Sequence, residues 1–310
     1  MNSLVLVWLQ WPEECFRAGD GDIVYLASLV PEASVVAVSS EEDFLRRLPE
    51  ATHVVVWSFK AEWYALAGRM KVLATPAAGR ELVAWRSAPP GVTVHIGGFH
   101  GEIMAESVAA FCLAWARGFF RRPPETGIWP RQWLGGSCYT LAGTRAVVAG
   151  YGRIGRAVGA KLTALGVEVL GFGRSNIADL PRAAESADWF VMALPSDTGT
   201  DDFLDSSLIA RLPPRCVVVN VGRGNAVDES ALRSALASGR IAGAYLDVFK
   251  NEPTCLSAGS AARGASAATG DGDPIWAGGC PNLVAMPHSA AFSPDYIKRA
   301  FKELKDEGLL

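Results

Sequence analysis

Three charged side chains each follow a strand-like segment in the second half of the chain. They are Arg223 in NVGRGNAVDE, Glu252 in LDVFKNEP and His288 in MPHSA. Arginine can neutralise a carboxylate and polarise a carbonyl through paired hydrogen bonds. Histidine exchanges a proton near neutral pH, and a glutamate beside it would orient the ring and raise its pKa. Together the three residue types suit hydride reduction of a 2-oxo acid, in which the new alkoxide receives a proton.

Each of these residues taken singly also has an ordinary structural explanation. Arg223 between two glycines could bind a phosphate or cap a loop, and Glu252 could be a solvated charge. His288 could be a core histidine with its hydrogen bonds satisfied. Their shared placement favours a joint role, because the carboxyl ends of parallel strands meet at one edge of a sheet. We therefore predict that they form one catalytic site.

A glycine-rich turn lies upstream of these residues, in AGYGRIGRAV. Gly150, Gly152 and Gly155 stand between a predicted strand and a predicted helix, which is the context of a dinucleotide-binding turn. The first glycine allows a tight turn, the second lets a pyrophosphate approach the backbone, and the third lets the helix pack on the strand. The pyrophosphate would then lie at the helix N-terminus, where free N–H groups favour anions.

The residues after the next predicted strand indicate which dinucleotide is bound. An acidic residue there would accept hydrogen bonds from the adenosine ribose 2′-hydroxyl and would repel a 2′-phosphate. This chain instead has Gly173, Arg174 and Ser175, with no carboxylate before Asp179. Arginine offers a planar set of donors for phosphate, and serine adds a hydroxyl. We expect NADP(H) to be preferred and NAD(H) to be possible; a solvated surface arginine is the alternative interpretation.

Strand-like and helix-like segments alternate along the chain in two series, which predicts two α/β domains with parallel sheets. The segment 101–122 is apolar on nearly every face, so we predict a helix buried between layers or in a subunit contact. A last helix is predicted with Ser293 as its cap and Pro294 at its first position, packed back on the first domain. Residues 254–273 are rich in Ala, Gly and Ser, which indicates a mobile surface loop.

Composition argues against several other classes of protein. The chain has 310 residues, and its formal net charge of −3 gives no general attraction for nucleic acid or anionic membrane. No apolar run approaches the roughly 20 residues of a membrane helix. The six cysteines form no CxxC pair and no cluster with histidine, so we expect reduced thiols and no metal site. The first residues do not look like a secretory leader, so the expected location is cytoplasmic.

These motifs resemble the D-isomer-specific 2-hydroxyacid dehydrogenase family across nearly the whole chain. The similarity is carried by AGYGRIGRAV, ALPSDTGT, the run from VVVNVGRGNAVDE to LDVFKNEP, PIW and MPHSA. It implies two Rossmann-like doubly wound domains, with the cofactor domain inserted into a flavodoxin-like substrate domain. The substrate domain is then expected over 1–100 plus 290–310, and the NAD(P)-binding domain over 101–289. The resemblance also implies a homodimer formed through the cofactor domain, and catalytic roles for Arg223, Glu252 and His288.

The resemblance extends to further cofactor and substrate contacts. The cofactor contacts implied are Gly150, Gly152, Arg153, Ile154, Gly155, Gly173, Arg174, Ser175, Leu194, Pro195, Thr200, Val221, Gly222, Asp247 and His288. The substrate contacts implied are Trp57, Ser58, Ala78, Gly79 and Arg223, with backbone amides of the two loops holding a carboxylate. Family members often have G-A-G-V-D at the second loop, whereas this chain continues into Arg80 and Glu81.

The branch of the family that it looks like reduces glyoxylate and hydroxypyruvate. This points to NAD(P)H-dependent reduction of a small 2-oxo acid to the D-2-hydroxy acid. Two alternatives are open at this point. A bulkier aromatic or branched 2-oxo acid could stack on Trp57, Phe59 or Phe99. A non-catalytic dinucleotide-sensing protein of the co-repressor kind would keep the same three charged residues. The segment between Glu252 and Pro274 is longer than in the family and could act as a flap or be an inert insertion.

Overall fold

The computed structural model describes residues 3–121, 131–252, 274–277, 279, 280 and 282–310, apart from the side chains of residues 132, 133 and 277. The predicted mobile loop over 254–273, and any flap formed by it, lies outside the described residues. The chain divides into two compact units, Met1–His100 with Phe292–Leu310, and Gly101–Ala291. The assignment of substrate binding to the first unit stays a prediction.

Strands and α-helices alternate along much of the chain as the sequence predicted, but only 3-10 helices separate the strands at 53–56, 72–75 and 93–96. The strands are β1 (Ser3–Trp8), β2 (Ala33–Ala37), β3 (His53–Val56), β4 (Val72–Thr75), β5 (Thr93–Ile96), β6 (Arg145–Ala149), β7 (Glu168–Phe172), β8 (Trp189–Met192), β9 (Val217–Asn220), β10 (Gly243–Leu246) and β11 (Leu283–Ala285). The helices are α1 (Asp20–Leu29), α2 (Glu41–Arg47), α3 (His100–Ala116), α4 (Arg131–Gly135), α5 (Arg153–Ala164), α6 (Leu180–Ala184), α7 (Ser206–Ile209), α8 (Glu229–Ala237) and α9 (Tyr296–Asp306).

The first unit is built on a five-stranded parallel sheet in the order β2-β1-β3-β4-β5. This is the flavodoxin-like order, and it confirms the predicted class of this unit. One face of the sheet carries an aromatic core that includes Phe44, Phe59 and Trp63, all almost completely buried. The helix α9 packs against α1 and so adds the last segment of the chain to this unit.

The start of α9 differs from the prediction. The helix begins at Tyr296 with Asp295 before it, two residues later than a cap at Ser293 would give. The Ser293 hydroxyl bonds to the Asp295 carboxylate instead of to the helix backbone. Farther along, Glu303 of α9 binds the β5 residue His95 at 3.1 Å and accepts hydrogen bonds from the Gly98 N–H. These contacts attach the helix to the end of the sheet.

The second unit is built on a six-stranded parallel sheet in the order β11-β10-β9-β8-β6-β7. Each strand is nearly all apolar, and alternate residues feed two separate cores. Val147, Phe190 and Val218 belong to one core, whereas Val148 and Val219 belong to the other. Since both faces of the sheet are covered, the doubly wound prediction is confirmed.

The helix predicted over 101–122 is shorter than expected. In the structure α3 ends at Ala116, because Gly118 adopts a left-handed backbone with φ +75° and its N–H turns back to the Trp115 carbonyl. Glycine adopts this conformation without a steric cost and is therefore a common helix terminator. Beyond it, Phe119 is 80% exposed, so the apolar character continues outside the helix. In the described part of the chain, we found no helix with the length and apolarity needed to span a membrane.

Candidate active site

The glycine turn between β6 and α5 has the geometry of a phosphate-binding loop. Gly150 has φ +89°, and a Cβ there would lie 2.5 Å from the Ala193 carbonyl oxygen. A Cβ on Gly155 would lie 2.3 Å from the Gly150 carbonyl oxygen, so the helix packs directly on the turn. Gly152 precedes α5 and has open space on its Cβ side. The turn therefore leaves room for a pyrophosphate at the helix N-terminus, which fits a dinucleotide.

Other predicted cofactor contacts surround this turn. Arg153 is exposed and Ile154 half-buried in the first turn of α5. After β8, Leu194 is buried and Pro195 is exposed. The Thr200 hydroxyl lies 2.8 Å from the Pro195 carbonyl oxygen and accepts a hydrogen bond from the Asp197 N–H, so it closes this loop on itself. Each residue lies at the carboxyl-terminal edge of the sheet, where ligands of such folds bind.

The turn after β7 carries the two residues predicted to bind a 2′-phosphate. Gly173 to Asn176 form a tight turn, closed by a 3.2 Å hydrogen bond from the Asn176 N–H to the Gly173 carbonyl. Arg174 and Ser175 occupy its two central positions and are exposed. Neither side chain has a hydrogen-bond or ion-pair partner among the residues that the structure describes. The turn therefore leaves the Arg174 guanidinium and the Ser175 hydroxyl available to a ligand.

Hydrogen bonds fix the backbone around Arg223 at the end of β9. The amide of Asn220, which is completely buried, donates to the Arg223 carbonyl at 3.0 Å and accepts from the Gly222 N–H at 3.0 Å. Val221, between them, is buried. The Arg223 Nη1 donates to the Gly222 carbonyl at 3.0 Å. The Asn220 amide thus fixes the path of the backbone from which the guanidinium projects.

His288 is held in a left-handed backbone conformation with φ +54°. Its N–H donates to the Asp247 carbonyl at 2.8 Å. The Asp247 side chain, 1% exposed, accepts hydrogen bonds from the N–H groups of Ser289 and Ala290. A non-glycine residue in this conformation is strained unless its surroundings hold it, and here the buried carboxylate does so. The Asp247 side chain, predicted as a cofactor contact, therefore makes its hydrogen bonds to the protein backbone.

The imidazole of His288 and the carboxylate of Glu252 form a direct pair. The His288 Nδ1 lies 2.8 Å from Oε2 of Glu252. The other carboxylate oxygen, Oε1, accepts from the Phe249 N–H at 3.0 Å, which fixes the carboxylate orientation. Since Nδ1 faces the carboxylate, Nε2 is the ring nitrogen left to serve a ligand. Arg223 is close enough to influence the ionisation of both groups.

The pKa values of the pair move in opposite directions. The hydrogen bond to Glu252 raises the pKa of His288, and the negative charges of Glu252 and Asp247 raise it further. Partial burial and the positive charge of Arg223 lower this pKa, but by less. Burial opposes ionisation of Glu252, but hydrogen bonds from His288 and the Phe249 N–H outweigh it, so the pKa of Glu252 falls. The imidazolium and the carboxylate therefore stabilise each other.

The second unit matches a known protein family. The family model described as D-isomer specific 2-hydroxyacid dehydrogenase, NAD binding domain, matches residues 109–290, which is more than half of the chain. The chain belongs to the D-isomer-specific 2-hydroxyacid dehydrogenase family. The matched region is a nicotinamide dinucleotide-binding domain, and it contains the glycine turn and all three charged residues of the site.

Members of the family are similar to this chain at low identity. A glycerate dehydrogenase of Methylorubrum extorquens is 25% identical over 248 residues, which are 76% of this chain and 74% of that protein. The matched regions cover about half of several D-3-phosphoglycerate dehydrogenases. Glyoxylate reductases also match, over 40% of this chain.

Two solved structures of the family share the fold of the whole chain. One is a D-isomer specific 2-hydroxyacid dehydrogenase from Lactobacillus delbrueckii ssp. bulgaricus in its NAD-complexed form. It has a TM-score of 0.73 and 17% identity, and the alignment covers 99% of this chain and 96% of that one. The other, from Xanthobacter autotrophicus Py2 in complex with NADPH and MES, has a TM-score of 0.70 and 24% identity, with 98% and 95% covered.

The two predicted substrate loops of this family member follow β3 and β4 in the first unit. Trp57 is buried and its Nε1 donates to the Phe16 carbonyl at 3.0 Å, whereas Ser58 is exposed. The buried Thr75 hydroxyl lies 3.2 Å from the Trp57 carbonyl and accepts from the Ala77 N–H. Thr75 therefore ties the two loops together.

Backbone N–H groups of these loops are available to a ligand. Those of Ser58, Ala78 and Gly79 donate no hydrogen bond within the parts of the chain that the structure describes. Successive free N–H groups in a turn make an anion-binding concavity. The expectation that these backbone amides bind a substrate carboxylate stays a prediction.

Sequence reasoning missed two positioning residues, Asn220 and Thr75. Asn220 and Thr75 both end an otherwise apolar strand, VVVN and VLAT. A polar residue at the carboxyl end of a buried strand is a usable signal, because burial requires it to find hydrogen-bond partners.

Proposed function

We propose that this protein reduces a small 2-oxo acid of the glyoxylate or hydroxypyruvate type to the D-2-hydroxy acid, with NADPH preferred over NADH. The hydrogen-bonded pair of His288 Nδ1 and Glu252 Oε2, 2.8 Å apart, is the observation that carries the proposal. Family membership supports a nicotinamide-dependent 2-hydroxyacid dehydrogenase. The glycerate dehydrogenase similarity supports the smaller substrates, since reduction of hydroxypyruvate gives glycerate.

Each of the three residues has a separate part in the reaction. The Arg223 guanidinium binds the substrate carboxylate and carbonyl oxygen and stabilises the negative charge that develops on that oxygen. A bound nicotinamide supplies the hydride. The His288 imidazolium donates the proton from Nε2 to the alkoxide oxygen. Glu252 holds Nδ1 and keeps the ring oriented and charged until the proton is given.

The aromatic residues near the substrate loops favour a small substrate. Trp57 is 8% exposed with its N–H already bonded, and Phe59 is 1% exposed. Phe99 stacks on His100 at 4.3 Å and packs edge-on against Tyr296. These rings are engaged inside the first unit, so they offer little face to a bulky aromatic substrate.

A substrate panel tests this proposal directly. We expect kcat/KM with NADPH to be higher for glyoxylate and hydroxypyruvate than for phenylpyruvate and branched 2-oxo acids. Steady-state rates at saturating cofactor give the comparison. A preference for the aromatic or branched acids would replace the small-substrate proposal with the bulkier one.

Exchanging the residues after β7 is expected to reverse the cofactor preference. The variant Gly173→Asp with Arg174→Gln supplies a carboxylate for the ribose 2′-hydroxyl and removes the guanidinium. A Cβ on Gly173 meets nothing within 4 Å, so the aspartate fits. The ratio of kcat/KM for NADPH to that for NADH should fall about 100-fold, as expected for lost charge-assisted hydrogen bonds and added repulsion. The ratio of these two kcat/KM values measures the effect.

The matched control is Arg182→Gln, which removes an exposed arginine of α6 and should leave the ratio unchanged. If the double variant keeps the wild-type ratio, the assignment of Arg174 to the 2′-phosphate is wrong.

Replacing Glu252 with Gln should move the pH dependence of reduction. Because the pKa of His288 is raised, its imidazolium, the proton donor, persists to higher pH. The rate of reduction is lost as the pH rises through that pKa. The glutamine of this variant would keep the shape but lose the charge, so the pKa of His288 falls and the descending limb of kcat shifts to lower pH. The measurement is kcat against pH with saturating substrate and NADPH. An unchanged pH profile of Glu252→Gln would show that Glu252 does not set this pKa. The control is the surface variant Glu185→Gln, whose pH profile should match that of wild type.

The quaternary structure and location are also part of the proposal. Leu113, Phe119 and Phe120 are 40%, 80% and 45% exposed in and after α3, and they would be covered in a homodimer of the second unit. Light scattering during size-exclusion chromatography distinguishes the dimer from a monomer. A cytoplasmic location stays a prediction.

A further inference from the structure

The strand β7 lies at the edge of the six-stranded sheet. In the common dinucleotide-binding strand order 3-2-1-4-5-6, a third strand pairs with this second one. Here residues 173–188, all of which the structure describes, contain a short turn, a 3-10 helix (Ile177–Asp179) and α6, and no strand. The backbone groups on the outer side of β7 therefore lack the neighbour that a third strand would provide.

The side chain of Asn176 takes the place of that neighbour at the end of β7. Glu168 and Phe172 use their backbone groups toward β6, so Gly171 and Gly173 face the open side. The Asn176 Nδ2 donates to the Gly171 carbonyl at 3.1 Å, and its Oδ1 accepts from the Gly173 N–H at 2.8 Å. One amide thus satisfies an acceptor and a donor in the way that a paired strand does.

The same two hydrogen bonds fix the turn that carries Arg174 and Ser175. The backbone bond from Asn176 to Gly173 closes this turn from inside, and the side-chain bonds anchor it to β7. The side chains of the two central residues, Arg174 and Ser175, are exposed and have no partner in the described part of the chain. Without the amide the turn would be free to adopt several conformations, and ordering it on binding would cost affinity.

We propose that Asn176 is a positioning residue for the 2′-phosphate of the cofactor. It acts by holding Arg174 and Ser175 in place before the ligand arrives, and it makes no contact with the phosphate itself. The inference rests on the proposed preference for NADPH. It extends that proposal to a residue that replaces a missing element of the fold.

The side-chain chemistry required at this position is narrow. An aspartate in place of Asn176 would put an acceptor against the Gly171 carbonyl and a negative charge next to the turn, and a serine would be too short to reach both partners. A side chain with one donor and one acceptor at this length is needed. Alanine removes both bonds without adding a charge, so Asn176→Ala is the cleanest variant.

The experiment measures binding of two ligands that differ only by the 2′-phosphate. Adenosine 2′,5′-bisphosphate and adenosine 5′-monophosphate are titrated into wild type, Asn176→Ala and Ser186→Ala by calorimetry. Ser186 donates its hydroxyl to the Ala183 carbonyl at the end of α6, so its variant loses a local side-chain bond away from the turn. We expect Asn176→Ala to lose about tenfold in affinity for the bisphosphate and less than about twofold for the monophosphate. Ser186→Ala should bind both as wild type does.

The outcomes separate the two proposals. Suppose that wild type binds the bisphosphate more tightly than the monophosphate. If Asn176→Ala then lowers the affinity for both ligands equally, or for neither, the positioning role is wrong while the NADPH preference stands. If wild type binds both ligands equally, the NADPH preference fails and the role of Asn176 fails with it. Because a variant that still binds the monophosphate is folded, a loss of affinity confined to the bisphosphate reports the contact with the 2′-phosphate.

Discussion

Replacing His288 with Asn is expected to lower kcat for reduction of hydroxypyruvate about a thousandfold, the range typical of removing a general acid. Asparagine is chosen because His288 has φ +54°, a conformation that asparagine tolerates better than other non-glycine residues. The backbone bond to Asp247 is then retained while the proton donor is lost. Steady-state kinetics with saturating NADPH gives the change in kcat.

Cofactor affinity distinguishes a chemical effect of this change from a structural one. The Kd of NADPH, measured by quenching of tryptophan fluorescence, should change little, because the glycine turn and the turn after β7 are untouched. A variant that keeps more than about a tenth of wild-type kcat would remove His288 from the role of proton donor, since a positioned acid contributes more than this.

Replacing Arg223 with Lys should lower kcat/KM for the 2-oxo acid about a hundredfold or more. Lysine keeps the charge but cannot bind a carboxylate and a carbonyl oxygen through a planar pair of donors. The loop itself should survive, because Asn220 holds the Arg223 carbonyl and not its side chain. We expect a higher KM for the 2-oxo acid together with a lower kcat, with the KM for NADPH near that of wild type.

Two further variants sharpen the interpretation of Arg223. Arg240→Lys changes another arginine of the same unit outside the site, and it should retain wild-type kinetics. If Arg223→Lys retained wild-type kcat/KM, charge alone would be sufficient and the paired hydrogen bonds would not be needed. Arg223→Ala should then lower the rate further, which separates the contribution of charge from that of geometry.

Much of the fold could be predicted from the sequence because both sheets are parallel and covered on both faces. Such strands are continuous apolar runs between amphipathic helices, as VVVN and WFVM show. The ends of helices were harder to predict. Gly118 ends α3 through a backbone conformation, and Asp295 precedes α9 in place of Ser293. These choices depend on local hydrogen bonds that hydrophobic periodicity does not encode.

The three charged residues of the site could be predicted because each follows a strand of one parallel sheet. Topology then brings them to one edge, whatever their separation in sequence. The residues that hold them could not be found in this way. The buried Asp247 carboxylate reaches backbone groups of the segment after β11. Such contacts follow from strand register and side-chain direction, which appear only in three dimensions.

The products of a single reaction show whether the protein reduces a 2-oxo acid to the D-2-hydroxy acid. Purified protein is mixed with NADPH and hydroxypyruvate, oxidation of the cofactor is followed by absorbance, and the configuration of the glycerate formed is determined by chiral chromatography. We expect one molecule of D-glycerate for each molecule of NADPH oxidised. Formation of L-glycerate, or no oxidation of NADPH or NADH with either hydroxypyruvate or glyoxylate, would contradict it.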